Sequence, residues 1–356
     1  MKAFENSELE AAIASGMTNK EIAEAFGVHV RTIQKRRLKL DNQVVSGYST
    51  LYRTDRDGEK VLEWVKTKAD VQTILQSIER AVDGYVSKLP KAKPVKASKV
   101  SNECFTVYPL GDPHVGLLTW HEETGTDWDC SIAPKIFDQV FGDVLSRTMQ
   151  SKTAIIANMG DYFHADNIAG VTSRSGNRLD LDGRPDKWIR TGLEIACRFI
   201  DTALTKHQKV IWINVTGNHD DILGLFLGRA LERIYAAEKR VEVVTGSSPY
   251  KFLRFGKVLL GFAHGHMCKP DKLPAIMSDL ASEDWGRTMY RHWYMGHVHH
   301  NSFKEYTGAS VETVGVIVPS DAYARGAGYS HQRAFQAITY DPNLGEIRRD
   351  RHNVVG

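Results

Sequence analysis

Five short blocks of the 356-residue chain set Asp, Asn and His beside Gly: Gly111-Asp112-Pro113-His114, Gly160-Asp161, Gly217-Asn218-His219-Asp220, His264-Gly265-His266 and Gly296-His297-Val298-His299-His300. Carboxylate, amide and imidazole, with no thiolate among them, suit borderline divalent metals such as Mn, Fe, Zn or Ni rather than a structural cysteine-type zinc site. Seven such ligands with one shared carboxylate are enough for two ions about 4 Å apart, a spacing that serves phosphatases and nucleases. Such a pair activates water at neutral pH and clamps the oxygens of an in-line phosphoryl displacement. Any one of these residues, taken alone, reads as a turn residue or a satisfied core group. Five blocks in order make that reading untenable.

Four blocks follow short apolar runs, at 105–110, 153–157, 210–215 and 258–262, and the fifth follows 290–295. These runs read as buried strands, while 132–149 and 187–205 carry the spacing of amphipathic helices. Strands alternating with helices predict an α/β sandwich. Ligands at the carboxyl ends of such strands converge on one crevice, and the glycines let the backbone turn sharply beside a ligand. A further strand is expected over 311–318, then a Gly- and Tyr-rich turn up to His331, with Tyr323 and His331 near the cleft but not as ligands.

Ahead of this region the pattern is different. Ser7 with Glu10, and Thr18 with Glu21, have capping-box spacing. Ile22 and Phe26 lie one turn apart, Gly27-Val28 breaks the pattern, and residues 31–40 read as a further helix. Apolar residues from Leu62 to Tyr85 recur at helical spacing, so residues 59–86 are expected to form one or two helices. Residues 88–99 hold Lys, Pro, Ala and Ser without an acidic residue, a linker composition. The expected organisation is a small all-α unit at 1–45, a helical spacer at 46–87, a basic linker at 88–103 and the α/β domain at 104–356.

Composition is that of a globular protein, 42% hydrophobic and 25% charged. No apolar run is long enough to span a bilayer, no signal-peptide pattern opens the chain, and Cys104, Cys130, Cys197 and Cys268 form no C-x-x-C pair. A cytoplasmic location is expected. The net charge is +3, unevenly spread: the first 100 residues hold 18 Lys/Arg against 13 Asp/Glu. A basic head on a mildly acidic body points to a nucleic-acid contact in the head.

The order D-x-H, G-D, G-N-H-D, H, G-H-x-H resembles the calcineurin-like metallophosphoesterase superfamily over roughly residues 104–300 or beyond. The resemblance implies a calcineurin-like β-sandwich flanked by helices. It puts Asp112, His114, Asp161 and His299 on one metal, and bridging Asp161 with Asn218, His264 and His297 on the other, with His266 as the alternative to His264. The two divalent ions are expected to be Mn2+, with Fe, Zn or Ni as alternatives. His219 matches the family's general acid and phosphate-contacting histidine, and His300 stands at the edge.

The second block departs from protein phosphatases, which carry G-D-Y-V-D-R-G where this chain has Gly160-Asp161-Tyr162-Phe163-His164-Ala165-Asp166. The metal-binding Tyr of purple acid phosphatases is replaced by Asn158-Met159. G-D-x-F-H, together with Asp112-Pro113-His114-Val115-Gly116, resembles double-strand-break repair nucleases, which implies that His164 positions a DNA phosphodiester or supports His219. The region also looks like metallophosphoesterases common in bacteriophage genomes. In the polar stretch 170–188, Arg174, Arg178 and Arg184 are candidates to clamp phosphates.

Residues 18–40 have the form of a helix-turn-helix and resemble those of resolvases and phage terminase small subunits. Arg31, Thr32, Gln34 and Lys35 would face a major groove, and Arg36, Arg37 and Lys39 the phosphates. The combined expectation is a metal-dependent DNA phosphodiesterase targeted by its head. The alternatives are hydrolysis of a nucleotide or other small phosphoester, with the head as a docking module, and a DNA-binding regulator with an idle phosphoesterase domain. DNA is the expected partner, no membrane is expected, and a homo-oligomer is left open.

Overall fold

The computed structural model describes residues 8–9, 12, 15, 17–40, 46–54, 60–68, 76, 80, 82–84, 103–172 and 176–354; the side chains of 35, 37–40, 46–54 and 60–68 are outside the description. The chain divides into two compact units, Met1–Gly84 and Tyr85–Gly356.

In the first unit, helix α1 spans Asn19–Phe26 and helix α2 spans Val30–Leu40. Thr18 caps α1: its hydroxyl accepts from the Glu21 amide, and the Glu21 carboxylate accepts from the Thr18 amide. This reciprocal box satisfies amides the helix itself leaves bare. Gly27 closes α1 in the left-handed region at φ 62°, so α2 starts after a three-residue turn. Ile33 of α2 is fully buried with Leu9, Ile22 and Ala23, while its neighbours Thr32 and Gln34 face solvent.

The next segment departs from expectation. Ser46–Thr54 and Lys60–Lys68 form strands β1 and β2, paired antiparallel, where a helical spacer was expected. The first carries Tyr and Thr and the second Val, Trp and Thr, residues that fit a pleated surface better than a helix, and Asp57-Gly58 between them in the sequence is a hairpin signal. The apolar spacing at 61–65 fits a helix and a strand equally, and β-branching decides it. Gln76, Arg80 and residues 82–84 are helical, as expected. Most of the basic linker, and Ser7, Gly16 and Arg174, lie outside the described residues.

The second unit runs β3 (Phe105–Leu110), α3 (His121–Thr124), α4 (Ala133–Arg147), β4 (Thr153–Asn158), α5 (Pro185–Leu204), β5 (Lys209–Asn214), α6 (Asp221–Ile234), β6 (Val241–Val244), β7 (Lys251–Phe255), β8 (Val258–Ala263), α7 (Leu273–Leu280), α8 (Ser282–Arg287), β9 (Tyr290–Met295), β10 (Ser302–Tyr306), β11 (Ala309–Thr313), α9 (Ala322–Gly326), β12 (Ala334–Asp341) and β13 (Gly345–Asn353). One sheet has the order β13-β12-β3-β4-β5-β6, parallel from β3 to β6; the other is β10-β11-β9-β8-β7, parallel across β11, β9 and β8.

The sheets pack face to face. Phe105, Val107, Ile155, Ile211 and Ile213 from one meet Val258, Leu260, Phe262 and Tyr294 from the other. Outside the first sheet, Tyr108 and Phe335 meet Phe141 of α4 and Phe199 of α5. Outside the second, Trp293, Met295 and Val311 pack on Leu273 and Met277 of α7. Strands β3, β4, β8 and most of β5 are buried on both faces, which is why they read as unbroken apolar runs. The strand expected over 311–318 ends at Thr313, with Val316 making one bridge to Gly111, and the Gly- and Tyr-rich turn contains α9.

Candidate metal centre

The five blocks leave the carboxyl ends of β3, β4, β5, β8 and β9, adjacent strands of the two packed sheets. Five non-glycine residues adopt positive φ among the described ones: Asp112, His114, Asp161, His297 and His299. L-residues there are strained by order of 1–3 kcal/mol each, and such strain concentrates at functional sites. The bent backbone accompanies side chains that gather in one cluster.

The glycines make room. A Cβ on Gly217 would overlap the Asp161 carboxylate, and one on Gly296 would sit 2.7 Å from Asp112 Oδ1. Sequence reading gave no role to Asp220, yet it ties two loops together. Fully buried, its carboxylate accepts from the amides of Asp161, Tyr162 and Gly217 at 3.1, 2.8 and 2.8 Å. Asp166 was also missed: it accepts from Ile222 and Leu223 amides and so caps α6 from a distant loop. Burial pushes its carboxyl up to about 6. No local pattern announces either role, because donor and acceptor lie more than fifty residues apart, apart from the Gly217 contact.

Around this frame the donors converge. His114 Nε2 and His299 Nε2 are 3.1 Å apart, and His299 Nε2 is 3.5 Å from Asp112 Oδ2. His264 Nε2 lies 3.1 Å from both Asp161 Oδ2 and Asn218 Oδ1, and Asp161, His264 and His297 form a compact group. His266 stands beside His264, ring centroids 5.2 Å apart, so His264 is the one at contact with the carboxylates. His300 is exposed and bonds the Val298 carbonyl.

Burial and the neighbouring His219, His164 and His299 hold His114 well below the usual imidazole range. Burial would raise Asp161, but the facing His264 outweighs it and holds the carboxylate well down. Asp112 Oδ1 is buried without a hydrogen-bond donor. Imidazole nitrogens that face one another around buried carboxylates have too few protons to satisfy them all. A divalent cation resolves that mismatch, so the donor set fits the expected metals.

His164 is buried, its Nδ1 3.1 Å from His114 Nδ1 and its ring stacked 5.5 Å from that of His219. Burial and His219 push it down to about 3. His219 donates from Nδ1 to the His164 carbonyl at 2.8 Å, and its amide donates to Asp161 Oδ1. With Nδ1 so engaged, Nε2 is the nitrogen left for a substrate.

These groups open into a cavity of about 740 Å³ that Arg178, Tyr323, Tyr329 and His331 also line. Arg184 is exposed at the start of α5 and lines none of this cavity. In the first unit Arg31 and Arg36 are half-buried on α2 beside exposed Thr32 and Gln34; the side chains of Lys35, Arg37 and Lys39 are outside the description. All four cysteines are free. Among the described residues, no helix is long and apolar enough to cross a membrane.

No protein-family model matches the chain, and no curated protein does. Among solved structures, it is similar to wild-type Vps29 from Entamoeba histolytica complexed with Zn2+, with 14% identity over 70% of this chain and 98% of that one, TM-score 0.27. A novel archaeal phosphodiesterase is similar at 14% identity over 70% and 99%, TM-score 0.33. A predicted phosphoesterase from Streptococcus pneumoniae TIGR4 matches at 11% identity over 71% and 100%, TM-score 0.28.

Proposed function

We propose that the chain is a two-metal phosphoesterase of the calcineurin-like kind that hydrolyses phosphodiester bonds of DNA, with its N-terminal helices as the targeting element. The observation that carries this reading is the coincidence of strain and chemistry: the five positive-φ non-glycine residues are all metal-type donors of one cluster. Asp112, His114, Asp161 and His299 would hold one divalent ion; Asp161, Asn218, His264 and His297 would hold the other. The ions, Mn2+ first among Mn, Fe, Zn and Ni, would supply an activated water and positive charge for an in-line displacement.

The chain's own residues do the rest. His219 delivers a proton from Nε2 to the leaving oxygen, its ring fixed by the Nδ1 bond to the His164 carbonyl. His164 holds the His114 ring through Nδ1, a support that orients a ligand. Arg178 reaches the cavity and meets the anionic oxygens of the substrate. On α2, Arg31, Thr32, Gln34 and Lys35 would read the duplex, with Arg36 and Arg37 on its phosphates.

The test is Mn2+-dependent cleavage of linear, circular and single-stranded DNA, run beside bis-p-nitrophenyl phosphate, with His219→Ala and a deletion of residues 1–100. The expected outcome is cleavage lost in His219→Ala and weakened by the deletion. Hydrolysis of the small diester with every DNA left intact overturns the DNA reading and moves the substrate to a small phosphoester.

A further inference from the structure

Beyond the metal cavity, across a wall made by residues 319–331, lies a second cavity of about 330 Å³. Pro319, Ser320, Gly328, Tyr329, Ser330 and His331 line both. His331 is tied to the wall through the Val318 carbonyl, and its ring centroid is 5.7 Å from that of His299. The second cavity is therefore next door to the metal centre, behind a wall that the His331 bond braces.

Its chemistry is cationic. Arg325 and Arg333 line it, and no carboxylate does. Arg333 is half-buried: Nε donates to the Ile317 carbonyl at 2.7 Å, and the guanidinium lies 5.3 Å over the Trp128 ring. Neither arginine makes an ion pair with any described carboxylate. Desolvating a guanidinium without a counter-charge is unfavourable, and burial draws Arg333 below its ordinary value. The Arg325 guanidinium occupies the space beside Gly125, 3.6 Å from where a Cβ would stand. On the same wall, Tyr323 and Tyr329 are each 66% exposed and face the metal cavity. Large exposed phenol rings beside unpaired guanidinium groups form the kind of surface on which unpaired bases stack while phosphates are neutralised.

We infer that the second cavity seats the phosphate next to the scissile one, against Arg325 and Arg333, and that the wall carries the intervening nucleotide of an unpaired strand on Tyr323 or Tyr329. The inference rests on the phosphodiesterase reading and narrows its substrate to a single strand at the cleavage point, at least two phosphates long. A mononucleotide or a simple diester leaves the second cavity empty.

Paired chromogenic esters separate the two readings. Thymidine 5′-(p-nitrophenyl phosphate) is compared with the same ester carrying a 3′-phosphate, and thymidine 3′-(p-nitrophenyl phosphate) with its 5′-phosphorylated form. One pair then suits either strand polarity. The wild type is expected to prefer the two-phosphate ester of one pair by about tenfold in kcat/KM, the scale of one charge-assisted contact. In Arg325→Gln and Arg333→Gln the ratio within that pair falls toward one. Arg325 is exposed, so its variant keeps the test free of folding effects should Arg333→Gln fail to fold. Tyr323→Ala and Tyr329→Ala together raise KM for both members alike. Equal rates within both pairs, or a preference that survives Arg325→Gln, overturn the inference while bis-p-nitrophenyl phosphate hydrolysis keeps the phosphodiesterase reading intact. No hydrolysis of bis-p-nitrophenyl phosphate overturns both.

Discussion

Two buried polar clusters that include histidine sit at opposite ends of the same parallel strands. At the amino ends of β4 and β5, His207 Nε2 pairs with the Tyr108 hydroxyl at 2.9 Å, and Nδ1 donates to the Ser151 carbonyl at 2.9 Å. Ser151 continues to Thr106 and Thr106 to Thr339. Every nitrogen has its partner inside the protein, and nothing is asked of a ligand. At the carboxyl ends, three strained histidines crowd two strained, buried carboxylates, Asp112 Oδ1 lacks a donor, and His164 Nε2 has no partner. Burial alone is shared by the two sites, so burial does not identify function. Strain combined with unmet hydrogen-bonding capacity does, because a fold keeps such features only where something else satisfies them.

Substitutions that sharpen this contrast should differ in kind as well as size. Asp161→Asn, at the carboxylate proposed to be shared, is expected to lower phosphodiester hydrolysis by about a thousandfold, the upper range for losing one main electrostatic contributor. Titration calorimetry with Mn2+ should show a lost site while the fold persists by circular dichroism. Gly217→Ala and His164→Ala leave every proposed metal ligand in the chain. The first drives a methyl into the Asp161 carboxylate and the second frees the His114 ring. Each is expected to weaken metal affinity or activity by about 10–100-fold, the usual scale for residues that orient ligands. Metal affinity unaffected in both would show that the frame does not set the cluster.

In the other cluster, His207→Phe leaves the Tyr108 hydroxyl and the Ser151 carbonyl without their partner. It should reduce stability by about 1–3 kcal/mol in urea unfolding and leave the hydrolysis rate as it was. A loss of rate without a loss of stability would erase the distinction between the two ends. The smallest effect belongs to Glu312, inside the second sheet. Burial opposes its charge, but His292 and Arg349 overcome it and hold the carboxyl down to about 2. A carboxylate held lower in the fold than in the open chain stabilises above the open-chain value of 4.5 and loses that stabilisation as pH falls toward 2. The melting temperature should therefore drop between pH 5 and pH 3 more steeply in the wild type than in Glu312→Gln.

Much of this was legible in the residues. Strands β3, β4, β8 and most of β5 are buried on both faces, so their apolar runs are continuous, and each ends in a Gly-bearing block that local chemistry makes conspicuous. That His264, and not His266, meets the carboxylates needed distances, since H-G-H puts both at the same turn. The β1–β2 hairpin was hidden by apolar spacing that fits two periods. Asp220 and Asp166 were hidden because their work is done on backbone amides of other loops. Arg325 and Arg333 were hidden for a related reason: neither stands in a basic run, and only the fold sets them around one cavity beside the metal centre.

The carboxyl-end cluster is proposed as a two-metal hydrolytic site. Its most direct measurement is bis-p-nitrophenyl phosphate hydrolysis by chelator-stripped protein titrated with Mn2+, with bound metal counted at each step. The account predicts no rate in the stripped protein and full rate on occupancy of two sites, with neither recovered in Asp161→Asn. A rate indifferent to added metal, or one that saturates in Asp161→Asn as in the wild type, would contradict it.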